Sequence, residues 1–285
     1  MASATERLAA AGVPSPRVDA IALAEHALGV AQLILAVPPA VPDGFEARFD
    51  GLVRRRESRE PLQHILGFAA FRRLIVRVQP GVFLPRPETE VVAEAAIDEA
   101  RRLVTAGREP LVVDLCSGSG AIALSVIVEV PQSRVVGIDI DPAAVELARR
   151  NAAAVGRGVD SGAVRFEVCD VADRGLLADD EGAVDVLISN PPYIPDDAVP
   201  LDPEVADHDP HRALFGGGAD GLDLPRQVVA AAVRLLRPGG LFVMEHADLQ
   251  GAAVRDLVNR TGAFCAATTH RDLTGRDRFV LARLR

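Results

Sequence analysis

The alternation of apolar runs and helix-forming stretches after Leu111 constrains the fold of this chain more than any other feature. Runs such as Leu111–Leu115 and Val184–Ser189 are rich in Val, Leu and Ile, which is typical of strands buried on both faces of a parallel sheet. Strands that alternate with helices form such a sheet, with helices packed on both of its faces. The sequence therefore predicts an α/β fold with a mostly parallel sheet.

Seven strands and four helices are predicted from Leu111 onward, and a fifth helix precedes Leu111. The strands are Leu111–Leu115, Arg134–Ile138, Val164–Val168, Val184–Ser189, Leu241–Glu245, Phe264–Thr268 and Arg278–Ala282. The helices run from Glu88 to about Thr105, over Ala121–Glu129, from Asp141 to about Val155, from about Gly221 to Leu236, and over about Leu249–Asn259. A long loop is expected from the end of the fourth strand to Gly221.

The N-terminal part of the chain has a different pattern. Residues 1–62 are predicted to form a small helical domain of short, closely spaced helices. One of these begins at Ser15-Pro16 and ends at Gly29, another covers Ala31–Ala36, and a third begins at Asp43 and reaches the arginines of residues 54–56. These arginines either contact a partner or form a solvated helix face, and the solvated face is favoured. Residues 63–84 are expected to form a β-hairpin connector, and residues 85–285 the main domain.

The fourth strand ends abruptly at Asn190-Pro-Pro-Tyr193. Proline has no N–H and a fixed φ, so the strand must stop at Asn190, and a stiff loop follows it. In open α/β sheets, ligands bind beyond the carboxyl ends of the strands. The side-chain oxygen of Asn190 and the carbonyl of Pro191 can both accept hydrogen bonds from one planar NH₂ group, and the ring of Tyr193 can lie against it. The alternative is a proline-rich turn without a function.

A second candidate site follows the first strand of the sheet, at Asp114–Gly120. Gly118 and Gly120 allow the backbone to turn sharply and to approach a ligand closely, just before a helix begins. Asp139 ends the next strand, where an acid can accept hydrogen bonds from both ribose hydroxyls, and Asp170 follows the third strand, beside an expected adenine. The glycine pattern alone also fits a dinucleotide.

The chemistry of Asn190–Tyr193 favours a methyl donor over a dinucleotide. Hydride transfer requires a proton donor or acceptor of suitable pKa, and this loop supplies none. Asp114 would repel a pyrophosphate, but it suits the ammonium group of a methionine moiety. S-adenosylmethionine therefore fits these residues better than NAD does.

The motif series Asp114–Gly120, Asp139, Asp170 and Asn190–Tyr193 resembles that of class I S-adenosylmethionine-dependent methyltransferases that act on planar nitrogen. Almost the whole chain resembles the bacterial release-factor glutamine methyltransferases. Four segments carry this narrower resemblance: the N-terminal helices, Pro61–Gly67, Phe83–Glu90 and the loop from Glu204 to Gly221. The resemblance implies a Rossmann-like seven-stranded sheet and the transfer of a methyl group to the side-chain amide nitrogen of the glutamine in the Gly-Gly-Gln motif of peptide chain release factors.

The resemblance also implies roles for individual residues. The catalytic residues are Asn190, Pro191 and Tyr193, and the substrate-binding residues are Asn190, Pro191, Pro192 and Tyr193. The residues that bind S-adenosylmethionine are Asp114, Cys116, Ser117, Gly118, Ser119, Gly120, Asp139, Ile140, Asp170, Val171 and Asn190. Relatives often carry an aromatic residue at the position of Val171 to stack on adenine, so here aliphatic packing is expected, with Phe83 or Leu84 contributing.

Composition bears on the partners and the compartment. The net charge is −9, which does not favour non-specific binding to nucleic acid. The resemblance implies release factors as partners, and we expect no direct contact with nucleic acid, no membrane and a monomer. The three cysteines show no metal or redox spacing, so a cytoplasmic location is expected. An adenine-N6 or cytosine-N4 nucleic-acid methyltransferase and a non-catalytic binding module remain alternatives.

Three further features are interpreted without a catalytic role. Asp207–His211 contains two histidines, but a proline interrupts the possible ligands and the reaction requires no metal, so no metal site is predicted. Gly216–Gly221 is expected to be a flexible cover near the site, because no Lys-Ser/Thr pair follows to bind phosphate. Glu245-His246 ends the fifth strand at the pocket edge, where a structural hydrogen bond is expected.

Overall fold

The computed structural model describes residues 1–34, 36, 39–156, 163–200 and 202–285. These residues form two compact units, one comprising residues 1–69, 78–80 and 199–209, the other residues 70–77, 81–198 and 210–285. Within the described ranges, no helix has the length and apolar character needed to cross a membrane. The predicted domain boundaries at residues 62 and 84 stay a prediction.

The helices and strands occur in the following order along the chain. The helices are α1 (Ala2–Ala10), α2 (Pro16–Leu28), α3 (Phe45–Glu57), α4 (Leu62–Leu66), α5 (Thr89–Thr105), α6 (Ala121–Glu129), α7 (Pro142–Val155), α8 (Pro203–His208), α9 (His211–Leu214), α10 (Asp223–Leu235) and α11 (Gly251–Arg260). The strands are β1 (Phe68–Phe71), β2 (Leu74–Arg77), β3 (Leu111–Leu115), β4 (Arg134–Asp139), β5 (Val164–Val168), β6 (Val184–Ser189), β7 (Leu236–Glu245), β8 (Thr268–Arg271) and β9 (Asp277–Arg283). Strands β1 and β2 form a two-stranded sheet.

The first unit is a small helical unit with an apolar core. Leu8 of α1, Leu23 of α2 and Val53 of α3 are fully buried in one cluster. The guanidinium of Arg56 lies 2.7 Å from the carboxylate of Asp19 and 2.8 Å from that of Glu204. Because Arg56 is only 5 % exposed, the favoured interpretation of the arginine cluster as a solvated face is wrong for this residue.

The predicted helix boundaries in this unit are partly confirmed. Helix α2 begins with Pro16 after Ser15 and ends at Gly29 in the left-handed conformation, as the sequence indicates. Helix α3 begins after Gly44 rather than at Asp43. The described residues of the helix predicted over Ala31–Ala36 are not helical, and Leu35, Val37 and Pro38 lie outside the described residues.

The second unit contains a seven-stranded sheet in the order β5-β4-β3-β6-β7-β9-β8. The neighbours from β5 to β7 are parallel, whereas β9 is antiparallel to both β7 and β8. After β3 the chain builds the sheet in one direction through β4 and β5, and then returns to the other side of β3 with β6. The ends of β3 and β6 therefore form the switch point at which α/β sheets bind ligands.

The predicted seven-stranded, mostly parallel fold is confirmed, with three local differences. Strand β7 begins at Leu236 instead of Leu241. The predicted break at residues 238–240 lies within this strand, where the register of its pairing with β6 shifts. Strand β8 covers Thr268–Arg271 instead of Phe264–Thr268. The predicted long loop to Gly221 contains α8 and α9, and each of them follows a proline or contains one in its first turn.

Gly137 allows β4 to pack closely against its neighbours. A Cβ atom at this position would lie 2.4 Å from two ring carbons of Phe166 and 3.2 Å from the Cβ of Ser117. We expect Gly137→Ala to lower the free energy of unfolding by about 1–3 kcal/mol, as overpacking of a dense core does. Chemical denaturation monitored by circular dichroism measures this change.

Gly51 offers a matched control inside α3. A Cβ atom there would meet nothing within 4 Å, so we expect Gly51→Ala to raise the stability by about 0.5–1 kcal/mol through its higher helix propensity. A Gly137→Ala protein as stable as the wild type would contradict the packing argument.

Candidate active site

A cavity of about 470 Å³ lies at the switch point of the sheet. Its volume is within the range of small-molecule sites. Its walls include, among the predicted site residues, Cys116, Ser117, Gly118, Ser119, Asp139, Ile140, Asp170, Val171, Asn190 and Pro192. The structure thus brings together residues that follow four successive strands, β3 to β6.

The turn after β3 has the sharp geometry that its glycines indicate. Cys116 and Gly118 have φ values of +62° and +54°, and the N–H of Ser117 donates to the carbonyl of Ile138 at 2.9 Å. Asp139 accepts hydrogen bonds from the N–H groups of Gly118 at 2.8 Å and Asp141 at 2.9 Å. These bonds fix the Asp139 carboxylate beside the cavity. Burial raises the pKa of the Cys116 thiol, so it remains protonated and is a poor nucleophile.

Asp114 and Gly120 lie at the two ends of the turn and do not line the cavity. The carboxylate of Asp114 is fully buried and accepts a hydrogen bond from the N–H of Ala123 at 3.1 Å. Its second oxygen, Oδ1, has no hydrogen-bond partner among the described residues. Burial raises the pKa of Asp114 to about 8, an effect that the Ala123 bond opposes. A Cβ at Gly120 would lie 2.9 Å from the ring of Phe166.

The raised pKa of Asp114 makes the stability of the ligand-free protein depend on pH. Between an unfolded pKa of 3.8 and a folded pKa of about 8, the native state keeps a proton that the unfolded chain releases. Stability from this group is therefore fully present below pH 3.8 and is lost as the pH rises towards 8.

We expect Asp114→Asn, which resembles the protonated acid, to remove this dependence. Denaturation curves at several pH values should show that the stability of the variant relative to wild type increases from pH 4 to pH 8. A constant difference over this range would contradict a raised pKa for Asp114.

Asn190 lies between the large cavity and a smaller one of about 40 Å³, both of which it lines. The smaller cavity is bordered by every residue from Asn190 to Ile194, together with Phe83, Ala213 and Leu214. The Nδ2 group of Asn190 donates to the Oγ1 atom of Thr89 at 3.2 Å. The Asn190 side-chain oxygen is thereby left available as an acceptor.

Tyr193 is held by the end of strand β7. Its hydroxyl donates to Oε1 of Glu245 at 3.4 Å, which confirms the predicted structural hydrogen bond at Glu245. Burial, followed by the charge of Glu245, raises the pKa of Tyr193. The phenol therefore stays neutral and offers the loop an aromatic face rather than a base.

Residues 214–221 fix the backbone of the Asn190–Tyr193 loop. The N–H of Ile194 donates to the carbonyl of Leu214 at 2.9 Å, and the N–H of Gly216 to the carbonyl of Ile194 at 3.0 Å. A Cβ at Gly216 would lie 2.6 Å from the Pro192 oxygen, and one at Gly221 would lie 2.1 Å from the Tyr193 oxygen. These glycines therefore permit close backbone approach. The segment 216–221 does not line the cavity but contacts the Asn190–Tyr193 loop, and its interpretation as a flexible cover near the site stays a prediction.

Several cavity residues were not predicted from the sequence as site residues. They are Phe71, Gly81, Val82, Pro85, Thr89, Ala121, Ile122, Asp141, Ala144, Pro210, Arg212, Ala213, Leu224 and Gln227. The segment that carries the resemblance, Phe83–Glu90, contains Pro85 and Thr89, so this signal could have identified them. Phe83 lines the cavity as suggested, whereas Leu84 is buried elsewhere. Among the described residues, no group of three His, Cys, Asp or Glu side chains is arranged to hold a metal ion.

Known proteins that resemble this chain are methyltransferases. Residues 1–67 match the family model of the PrmC N-terminal domain, and residues 109–275 match that of a methyltransferase domain. The release factor glutamine methyltransferase of Mycolicibacterium smegmatis is 47 % identical over 281 residues, which cover 98 % of this chain and 95 % of the relative. That of Streptomyces coelicolor is 47 % identical over 285 residues, covering 99 % and 96 %.

A solved structure shares the fold at low sequence identity. It is the 16S rRNA N2 G1207 methyltransferase of T. thermophilus, in complex with AdoMet and guanosine. The match has a TM-score of 0.53 and 23 % identity, and it covers 76 % of this chain and 50 % of the other. This similarity shows a methyltransferase fold.

Proposed function

The chain belongs to the family of release factor glutamine methyltransferases, and on that premise we propose that it methylates the side-chain amide nitrogen of the glutamine in the Gly-Gly-Gln motif of peptide chain release factors. The methyl donor is S-adenosylmethionine. The main support for this proposal is the position of Asn190. It borders both cavities, and its side-chain NH₂ group donates a hydrogen bond to Thr89.

The large cavity fits S-adenosylmethionine in volume and in polar groups. Asp139 suits the ribose hydroxyls, and Ile140 and Val171 supply apolar contacts for the adenine. Oδ1 of Asp114 and Oγ of Ser117 are buried without a hydrogen-bond partner among the described residues. The Ser117 hydroxyl lines the cavity and suits the ammonium group of the methionine part, whereas Asp114 lies outside the cavity lining and supports the turn. Asp170 lines the same cavity and suits the adenine edge.

Asn190 and Pro191 orient the substrate amide. When bound, S-adenosylmethionine would supply a methyl group on a positively charged sulfur. The glutamine nitrogen would take this methyl group as the carbon–sulfur bond breaks, and S-adenosylhomocysteine would be the leaving group. The Asn190 side-chain oxygen and the Pro191 carbonyl accept the two N–H groups of the glutamine and aim its nitrogen at the donor cavity. Both acceptors also stabilise the positive charge that develops on this nitrogen. Orientation of this kind lowers barriers by up to roughly 7–11 kcal/mol in the best-aligned systems.

The reaction does not require a strong base from the protein. The alkylated amide is acidic and loses its proton to water, whereas the neutral Tyr193 phenol has a raised pKa and does not accept a proton. Tyr193 instead packs its ring against the glutamine side chain, and Pro192 borders both cavities beside it. The role of these residues is to bind, orient and shield the amide.

We further propose where and with which partner the protein acts. Release factors are its substrates, the N-terminal helical domain contributes to docking them, and nucleic acid is not bound directly. The protein acts as a monomer in the cytoplasm. The three cysteines are free thiols, as is usual in a reducing compartment.

Mass spectrometry of the substrate tests the proposed function. The purified protein is incubated with S-adenosylmethionine and either a release factor or DNA, and the release-factor peptides are then analysed. We expect one added methyl group on the glutamine of the Gly-Gly-Gln motif. Methylation of DNA alone, or of another residue of the release factor, would overturn the proposal.

A further inference from the structure

The side-chain amide of Gln250 joins three separate segments of the second unit. Its Nε2 group donates to the carbonyl of Tyr193 at 2.8 Å and to the carbonyl of Asp220 at 2.9 Å. Its Oε1 atom accepts a hydrogen bond from the N–H of Ala247 at 3.0 Å. These bonds use both N–H groups and the oxygen of the amide, and the function described above assigns no role to this residue.

The three partners leave a single orientation for the Gln250 amide. A backbone carbonyl can only accept a hydrogen bond, and a backbone N–H can only donate one. Rotation of the amide by 180° would direct its oxygen at the two carbonyls and its NH₂ group at the N–H of Ala247, so all three bonds would be lost. The backbone of Gln250 is also anchored, because its N–H donates to the carbonyl of Ala247 and its carbonyl accepts the N–H of Val254, both at 2.9 Å.

The Tyr193 carbonyl is held by this side chain and not by the backbone. No backbone N–H among the described residues donates to it, whereas the N–H and the carbonyl of Ile194 both pair with the backbone of residues 214–216. A Cβ at Gly221 would lie 2.1 Å from the Tyr193 oxygen, so residues 220 and 221 lie directly against this peptide group. Gln250 therefore connects the Tyr193 peptide both to Asp220 and to the segment that follows β7.

Of the two hydrogen bonds that hold Tyr193, the one from Gln250 is the shorter. The Tyr193 hydroxyl donates to Glu245 at 3.4 Å, which is longer than usual for an O–H···O bond. The 2.8 Å bond to the Tyr193 carbonyl is therefore the stronger constraint. Tyr193 borders the smaller cavity, whereas Gln250 lines neither cavity, so Gln250 acts on the amide site through Tyr193.

We propose that Gln250 is a positioning residue that fixes the Tyr193 backbone, and with it the Tyr193 ring, against the glutamine side chain of the substrate. This inference rests on the proposed function, because the ring needs a fixed position only where a substrate amide is bound beside it. Gln250 touches neither the donor nor the reacting atoms in this role. Its loss therefore reduces turnover and leaves donor binding intact.

The test compares Gln250→Glu with Gln250→Met, two variants that keep the length of the side chain. The glutamate keeps an oxygen for the N–H of Ala247 but loses both donors, and assays at about pH 8 keep it ionised. The methionine loses all three bonds. We expect both variants to lower kcat for release-factor methylation roughly 10-fold to 100-fold, the effect of misplaced groups around a bound substrate. The affinity for S-adenosylhomocysteine, measured by calorimetry, should stay within about twofold of wild type.

Asn259→Ala is a matched control at the other end of α11. The Oδ1 atom of Asn259 accepts the N–H of Ala267 at 3.0 Å, and Asn259 lines neither cavity. This variant also removes a bond between a side chain and the backbone, so its melting temperature should fall, whereas kcat should stay unchanged.

A double-mutant cycle separates positioning from general damage. In a Tyr193→Ala protein no ring is left to position, so Gln250→Glu should cause little further loss of kcat. Melting temperatures of all variants show that they are folded.

Four results would overturn the positioning role of Gln250. They are an unchanged kcat in Gln250→Glu, an equal loss of kcat in Asn259→Ala, a full additional loss in the Tyr193→Ala background, and a loss of S-adenosylhomocysteine affinity as large as the loss of kcat. A wild-type protein that methylates no release factor would instead overturn the proposed function, and the positioning role with it.

Discussion

Asn190→Ala is expected to abolish most methyl transfer, with kcat on a release factor falling roughly 100-fold to 1,000-fold, as when a group that stabilises developing charge is removed. The variant loses one of the two acceptors for the substrate amide. It also leaves the Oγ1 atom of Thr89 without its 3.2 Å bond from Nδ2. Single-turnover methylation with labelled S-adenosylmethionine measures the chemical step directly.

The effect on the methyl donor should be much smaller. Asn190 borders the large cavity at one edge, whereas the groups suited to the ribose and the adenine lie around Asp139 and Asp170. We therefore expect the affinity for S-adenosylhomocysteine to fall less than tenfold, which corresponds to about 1.4 kcal/mol. Comparable losses of affinity and kcat would show that Asn190 binds the donor instead of orienting the amide.

Asp139→Ala is the second change with a large expected effect, and it acts on the donor. Its carboxylate accepts hydrogen bonds from the N–H groups of Gly118 and Asp141 at 2.8 Å and 2.9 Å, and it retains lone pairs for the ribose hydroxyls. Removal of the carboxylate loses charge-assisted bonds to the ligand and leaves two N–H groups unpaired. We expect the affinity for S-adenosylhomocysteine to fall roughly 100-fold to 1,000-fold.

Asp179→Ala is a matched control for the loss of one negative charge. Asp179 is an exposed acid in the 3₁₀ turn Ala178–Asp180 and does not line the cavity. Its removal should leave the affinity unchanged when both proteins are measured by calorimetry at the same ionic strength. A similar loss of affinity in both variants would show that the change in net charge causes the effect. An unchanged affinity in Asp139→Ala would contradict the ribose role of Asp139.

The parts of the fold that the sequence predicted correctly depend on local properties of the chain. Strands β3 and β6 have the predicted bounds, because apolar runs ended by Gly or Pro leave few alternatives. The strand boundaries that were predicted wrongly depend on pairing with neighbouring strands of the sheet. Strand β7 starts at Leu236 because its first residue pairs with Val184 of β6, and β8 begins at Thr268 because that residue pairs with Leu281 of β9.

The sequence by itself determined the strand that ends at Asn190, the stiff loop that follows this strand, and the turn around Gly118. Prolines, glycines and apolar runs restrict the backbone locally at these positions. Only the tertiary structure decided how Asn190 is oriented. Its hydrogen-bond partner Thr89 is 101 residues away in the sequence, and Tyr193 and Glu245 are 52 residues apart. Such contacts depend on which strands become neighbours in the sheet, and no local pattern of residues encodes that order.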